Sequence, residues 1–103
     1  MKTNKQKWQK FSIAEQMGNI GSEVCKAFVW KNKDRALAQE AAERVLVLID
    51  LTVTQRKQNK GVKEILKLRE VFCDCFFDFG NFKVKPKSLK RYFIPFALSA
   101  RKI

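Results

Sequence analysis

Apolar positions recur every three or four residues along most of this 103-residue chain, the spacing of helices with one buried face. Ser12 followed by Glu15 reads as a capping box, in which the hydroxyl takes the amide three residues on and the carboxylate reaches back. Phe11 is placed for a hydrophobic staple. Ile13, Met17, Ile20, Val24 and Ala27/Phe28 then continue the apolar face. This helix should end near Lys31–Lys33, whose cations suit the negative end of the dipole. Asp34 can cap a second helix running to about Arg56, with Leu37, Ala38, Ala41, Ala42, Val45, Leu46, Leu48, Ile49 and Thr52 inward and Glu40/Arg44 as an i,i+4 pair. Val45–Ile49 is apolar nearly all round and resembles a strand, but its helical flanks favour a central, well-buried helix. Gln58-Asn59-Lys60-Gly61 reads as a turn.

A third helix is expected from Val62 to about Phe77, with Val62, Ile65, Leu66, Arg69, Phe72, Cys73 and Phe76 as its stripe. Gly80, Asn81 and Pro86 mark a loop over 78–87, with an extended piece at Phe82-Lys83-Val84. A fourth helix should start near Ser88 and use Leu89, Tyr92/Phe93, Phe96 and Ala100, with Pro95 kinking or dividing it. Four helical segments with short connections favour one all-α domain over residues 1–103, an antiparallel up-down four-helix bundle preceded by a basic N-terminal arm at 1–10.

Charge changes this picture. The formal net charge is +12. Residues 1–10 hold Lys2, Lys5, Lys7 and Lys10 and no acid; residues 79–103 hold Lys83, Lys85, Lys87, Lys90, Arg91, Arg101 and Lys102 and no acid. All ten acidic residues lie between, against eleven basic ones. A near-neutral body with cationic flanks points to a polyanionic partner, nucleic acid being the commonest. Up-down threading would gather the N-terminal lysines, Arg56, Lys57, Lys60, Lys63, Arg101 and Lys102 at one end. Lys31, Lys33, Arg35, Lys83, Lys85, Lys87, Lys90 and Arg91 would meet at the other. Trp8 and Tyr92 lie among these cations; they could stack on unpaired bases, though for the rings alone a place in the core is favoured. With no DNA-reading recognition helix evident, binding should be backbone-directed and salt-sensitive, with RNA favoured over DNA. A protein-interaction module with an acidic partner is the alternative. The basic, aromatic last helix also has the composition of an interfacial membrane helix, but its apolar face is needed to close the bundle.

Chemistry-bearing clusters are few. The chain has no histidine, which excludes Ser-His-Asp triads and Cys-His nucleophile pairs, and no enzymatic activity is expected. Cys25, Cys73 and Cys75 could offer three thiolates to zinc, but a structural site usually has four ligands, so buried small side chains are the reading and no metal or cofactor is expected. Asp50 and Arg69 interrupt apolar stripes and should pair inside the bundle, near Glu23 or Arg44, as a structural ion pair that fixes register; loss of Asp50 would then cost about 3–5 kcal/mol. Gly18-Asn19-Ile20-Gly21 matches the GXXG loop of KH domains, but sits within a helical period, where close packing of another helix is the expected role. Asp78-Phe79-Gly80 matches a kinase motif by chance, the chain being far too short for that fold. With no apolar leader after the polar first ten residues and no run long enough for a membrane span, a cytoplasmic location is the default.

The runs Gln16-Met17-Gly18-Asn19-Ile20-Gly21-Ser22-Glu23-Val24, Asp50-Leu51-Thr52, Lys63-Glu64-Ile65, Leu68-Arg69-Glu70 and Tyr92-Phe93 resemble a family of small uncharacterised prokaryotic helical proteins, over about residues 8–101. That resemblance carries no site residues. By size, charge and architecture the chain is also similar to the four-helix-bundle proteins of ribosomal RNA intervening sequences and to retroelement accessory proteins. Those are basic and often oligomeric, and the accessory proteins bind RNA and a reverse transcriptase. This likeness implies an oligomeric accessory protein with a nucleic acid, and a nucleic-acid enzyme, as partners.

Overall fold

The computed structural model describes residues 5–55 and 61–101, which form five helices and no strand. They are α1 (Lys5–Gln9), α2 (Ile13–Trp30), α3 (Arg35–Gln55), α4 (Val62–Phe76) and α5 (Pro86–Arg101). Among the described residues no helix is long and apolar enough to cross a membrane.

The capping box starts α2: Ser12 Oγ accepts from the Glu15 amide at 3.1 Å, and Glu15 Oε1 accepts from the Ser12 amide at 2.9 Å. Asp34 starts α3, its carboxylate accepting from the Leu37 amide at 3.1 Å. Pro86 is the first residue of α5, where its fixed φ and missing amide cost nothing. That places the start two residues before Ser88. The helix continues through Pro95 without being divided.

While α1 and α4 pack mainly on α3, helix α2 carries the two most extensive interfaces, with α3 and with α5. Its buried set, Met17, Ile20, Gly21, Val24 and Ala27, is widened by buried Gln16 and Glu23 to serve two neighbours. Helix α3 buries Ala38, Ala41, Ala42, Val45, Leu48 and Ile49. The alanines let the backbones come close, so α3 needs only one face, and Val47 on the other is 52% exposed. Within the apolar run, Val45, Leu48 and Ile49 are buried, and α3 packs against α1, α2 and α4. Helix α5 lies over the two glycines of the GXXG run. Gly21 faces Phe93, so close that an added Cβ would sit 2.6 Å from the Phe93 Cβ; Gly18 faces Ala97, whose Cα would be 3.7 Å from one.

Residues 5–10, within the expected basic N-terminal arm, include α1, which is docked. Trp8 is buried and its indole Nε1 donates to Thr52 Oγ1 at 3.0 Å. Gln16 Nε2 donates to the Trp8 carbonyl at 2.8 Å and to Gln55 Oε1 at 3.1 Å, tying α1, α2 and α3 together.

Helix α4 buries Ile65, Leu68, Phe72, Cys75 and Phe76. The expected stripe is rotated by part of a turn: Leu68 is in and Leu66 is out. Arg69 consequently stands at the rim. Its Nε lies 3.0 Å from Asp50 Oδ1, and both side chains are well exposed. The Asp50–Arg69 pair is thus on the surface and not inside the bundle. The carboxylate buried between α2 and α3 is instead Glu23, which accepts from Arg44 Nε at 2.8 Å and Lys26 Nζ at 3.2 Å. Arg44 reaches across to α2, not along α3 to Glu40.

Candidate polyanion interface at the start of helix α5

The segment 77–85 is short of regular structure but not of bonds. Helix α4 closes with the Phe77 amide on the Cys73 carbonyl at 2.9 Å and the Phe79 amide on the Asp74 carbonyl at 3.0 Å. Asp78, Gly80 and Lys83 then take positive φ values of 60°, 78° and 54°, which turn the chain back on itself. The Asp74 side chain, buried at the last turn of α4, holds this turn: Oδ1 accepts from the Asn81 amide at 2.7 Å and Oδ2 from the Phe82 amide at 3.1 Å. Such charge-assisted bonds are stronger than neutral ones.

A second tie comes from the α2–α3 turn. Lys31 Nζ lies 2.9 Å from Asp78 Oδ2, donates to the Cys75 carbonyl at 3.4 Å, and sits 5.6 Å from the centre of the Phe76 ring. A cation here complements the negative end of the α4 dipole. It also brings the cations of the α2–α3 turn to the segment that leads into α5. Lys31, Arg35, Gln39, Phe77 and Asp78 border a groove of about 510 Å³.

Of the expected cations, Lys83, Lys85, Lys87 and Arg91 are exposed and Lys90 is half-buried. They precede α5 or stand on its first turns, and the first turn holds no acid. Among the described residues none of the five is in a salt bridge. This is electrostatically uphill: a helix N-terminus is already the positive end of a dipole and favours anions.

The other expected cations lie elsewhere. Lys5, Lys7 and Lys10 are exposed around α1, which is anchored at Thr52. That is about 25 Å along α3 from its start, at 1.5 Å per residue. Lys2, Arg56, Lys57, Lys60 and Lys102 lie outside the described residues, and of Arg101 only the helical backbone is described.

Neither aromatic flagged among the cations is offered to a ligand. Trp8 is in the core, and half-buried Tyr92 donates its hydroxyl to Glu64 Oε1 at 2.6 Å. Burial, then that hydrogen bond and the Glu64 charge, push the Tyr92 hydroxyl well above the usual phenol range. Exposed rings stand elsewhere, three of them in the turn after α4: Phe77 at 48%, Phe79 at 64% and Phe82 at 37%. Lys67 Nζ sits 4.0 Å from the centre of the Phe82 ring. The sequence divides this stretch among a helix end near Phe77, a loop from 78 and an extended piece from Phe82, and does not mark an exposed ring cluster. The available signal was four phenylalanines in seven residues, Phe76 to Phe82, around Gly80 and Asn81, more rings than a turn can bury.

The three cysteines are free; Cys75 is buried and Cys25 and Cys73 half-buried. Burial pushes the Cys73 and Cys75 thiols above their ordinary values, away from thiolate character. Among the described residues no group of three Cys, Asp or Glu side chains is placed to hold a metal ion.

No protein-family model, curated protein or solved structure matches this chain.

Proposed function

We propose that this chain is a non-enzymatic nucleic-acid-binding accessory protein, with RNA favoured over DNA, that grips phosphates with Lys83, Lys85, Lys87, Lys90 and Arg91. The observation that carries the reading is the set of five cations, unpaired among the described residues, at the positive end of α5. A phosphate chain would relieve both the mutual repulsion and the dipole mismatch. Lys31, Lys33 and Arg35 extend the same surface through the Lys31–Asp78 tie. The order of facing residues on α2 and α5, Gly21 with Phe93 and Gly18 with Ala97, supports this shared end. It agrees with an antiparallel up-down four-helix bundle, with α1 as an added cap and a bend of α5 at Pro95. Lys5, Lys7 and Lys10 form a separate cationic region that a long or folded nucleic acid would reach. The resemblance to bundle proteins of ribosomal RNA intervening sequences and retroelement accessory proteins belongs with this reading, as do an oligomeric assembly and a cytoplasmic setting.

The test is binding of the whole chain to a labelled structured RNA, a matched DNA duplex and an acidic polypeptide across a salt series. Tight binding to nucleic acid, falling steeply with salt and exceeding that to the polypeptide, is the expected result. Equal binding to all three, or preference for the polypeptide, would instead favour a module for an acidic protein partner.

A further inference from the structure

Beside the cations stands a feature that phosphate binding does not use. Phe77 and Phe79 lie with ring centres 5.8 Å apart and planes 24° from parallel, and both are about half or more open to solvent. This stacked pair is the outer end of an unbroken series of ring contacts. Phe28 packs edge-on against Phe72 and Phe76, Phe72 stacks on Phe76 at 5.6 Å, and Phe76 meets Phe77 edge-on at 5.1 Å. Phe72 is fully buried, so the exposed pair is braced from the core. The backbone beneath it is fixed as well, by the Asp74 carboxylate on the Asn81 and Phe82 amides and by Lys31 on Asp78. Exposed rings on a braced turn lose little freedom when something packs on them.

We infer that the Phe77–Phe79 pair is a stacking platform for unpaired bases, so that the partner of this surface is single-stranded or looped nucleic acid in preference to a regular duplex. The inference rests on the reading that the surface binds nucleic acid, and adds which form. A flat exposed ring matches the face of any base, and such stacking is tolerant of sequence. In a duplex the bases are stacked on each other and their faces are closed to a protein ring, whereas loops and ends can splay them out. Charge selects this occupant over a second copy of the chain: Lys83 and Lys85 follow within six residues of Phe79, and a second copy would set like charge against like. A nucleic-acid strand brings phosphates to those lysines as it brings bases to the rings.

The experiment measures anisotropy of a fluorescein-labelled unstructured 12-nucleotide RNA and of a fully paired RNA duplex of equal phosphate count. It uses the full chain, Phe77→Leu/Phe79→Leu, Phe79→Leu, Phe79→Trp and Lys83→Gln/Lys85→Gln/Lys87→Gln. Leucine keeps the apolar bulk and removes the flat face; tryptophan keeps the face. The wild-type chain should prefer the single strand. Each ring lost should weaken single-strand binding about tenfold, with duplex binding changed less than about twofold and the salt slope unaltered, and Phe79→Trp should retain the preference. Phe79→Leu alone carries the test should the double variant not fold. The platform is overturned if the wild-type chain shows no single-strand preference, or if the leucine variants keep it or weaken both probes equally. The lysine variant separates the two readings: if it lowers the salt slope on both probes while the leucine variants do nothing, only the platform fails. If it changes neither probe, the nucleic-acid reading itself fails, and the platform with it.

Discussion

Two carboxylates on neighbouring helices show how burial decides what an ion pair contributes. Asp50 and Arg69 sit 3.0 Å apart at the rim, both side chains well exposed. Water screens such a pair, and exposed pairs contribute about 0–1 kcal/mol. Asp50→Ala should therefore shift the melting midpoint hardly at all, well short of the 3–5 kcal/mol that an interior position would imply. Glu23 is the contrasting case. Its side chain is nearly closed to solvent and is held by Arg44 and Lys26. Burial opposes its ionisation, but the hydrogen bonds and charges of Arg44 and Lys26 outweigh that, and its carboxyl titrates below the ordinary value of 4.5. A depressed carboxyl adds stability that is complete above the unfolded value and is lost as pH falls through the folded one. Denaturant melts should show wild-type stability declining from about pH 5 downward, and Glu23→Gln should flatten that decline. At pH 7 the same substitution should cost about 1–3 kcal/mol, because Arg44 keeps its charge and loses its partner. An equal effect of Asp50→Ala and Glu23→Gln would contradict this assignment.

At the scale of helices, the two glycines of the GXXG run should respond to the same mutation with opposite signs. Both are helical, so alanine gains roughly 0.5–1 kcal/mol of backbone preference at each. At Gly18 the added carbon makes an ordinary 3.7 Å contact with Ala97, and Gly18→Ala should be neutral or slightly stabilising. At Gly21 it would lie 2.6 Å from the Phe93 Cβ and Cγ, which leaves no room unless α5 moves away. Gly21→Ala should destabilise by about 1–3 kcal/mol, and Phe93→Gly in the same chain, which removes both clashing atoms, should recover part of that loss in a double-mutant cycle. Close packing of another helix on α2 was legible from the sequence because two glycines in a helical period have few other uses; that α5 is the helix was not. The caps at Ser12 and Asp34 were legible because they depend on residues three apart. The inward face of α4 was not: Leu66 and Leu68 are equally apolar, and only the elements packed on α4 put Leu68 inside and leave Leu66 44% exposed. Asp74 was invisible for a related reason. Its partners are the backbone amides of Asn81 and Phe82, which carry no side-chain signature. Asp74→Ala should leave two amides without their acceptor and cost about 2–4 kcal/mol. Hydrogen exchange should quicken first at those amides.

For the whole molecule, the cationic segment 83–91 was legible as charge, whereas its position beside exposed rings depends on how the turn after α4 is built. The flanking aromatics Trp8 and Tyr92 were absorbed at Thr52 and Glu64: the buried Trp8 indole needs a partner, and half-buried Tyr92 bonds Glu64 at the surface. Phe77 and Phe79 have no polar tip and were left outside by the sharp turn through Asp78 and Gly80. If the cations serve a nucleic-acid partner, function and stability make opposite demands on α5, and one variant reads both. Replacing Lys83, Lys85, Lys87, Lys90 and Arg91 by Gln removes five positive charges from the positive end of a helix dipole. If those residues served the fold, the melting temperature would drop. On the present reading it should hold or rise slightly, because each cation near that end costs a few tenths of a kcal/mol. Nucleic-acid binding should move the other way. Each phosphate contact contributes a slope of about −0.7 to −0.9 in the logarithmic dependence of affinity on salt. Loss of three to five contacts should flatten that slope by roughly 2–4 and weaken binding most at low salt. A thermal melt and a salt titration on one preparation decide the matter. A stable variant with a flattened slope assigns the cations to the partner, and a destabilised variant with an unchanged slope assigns them to the fold.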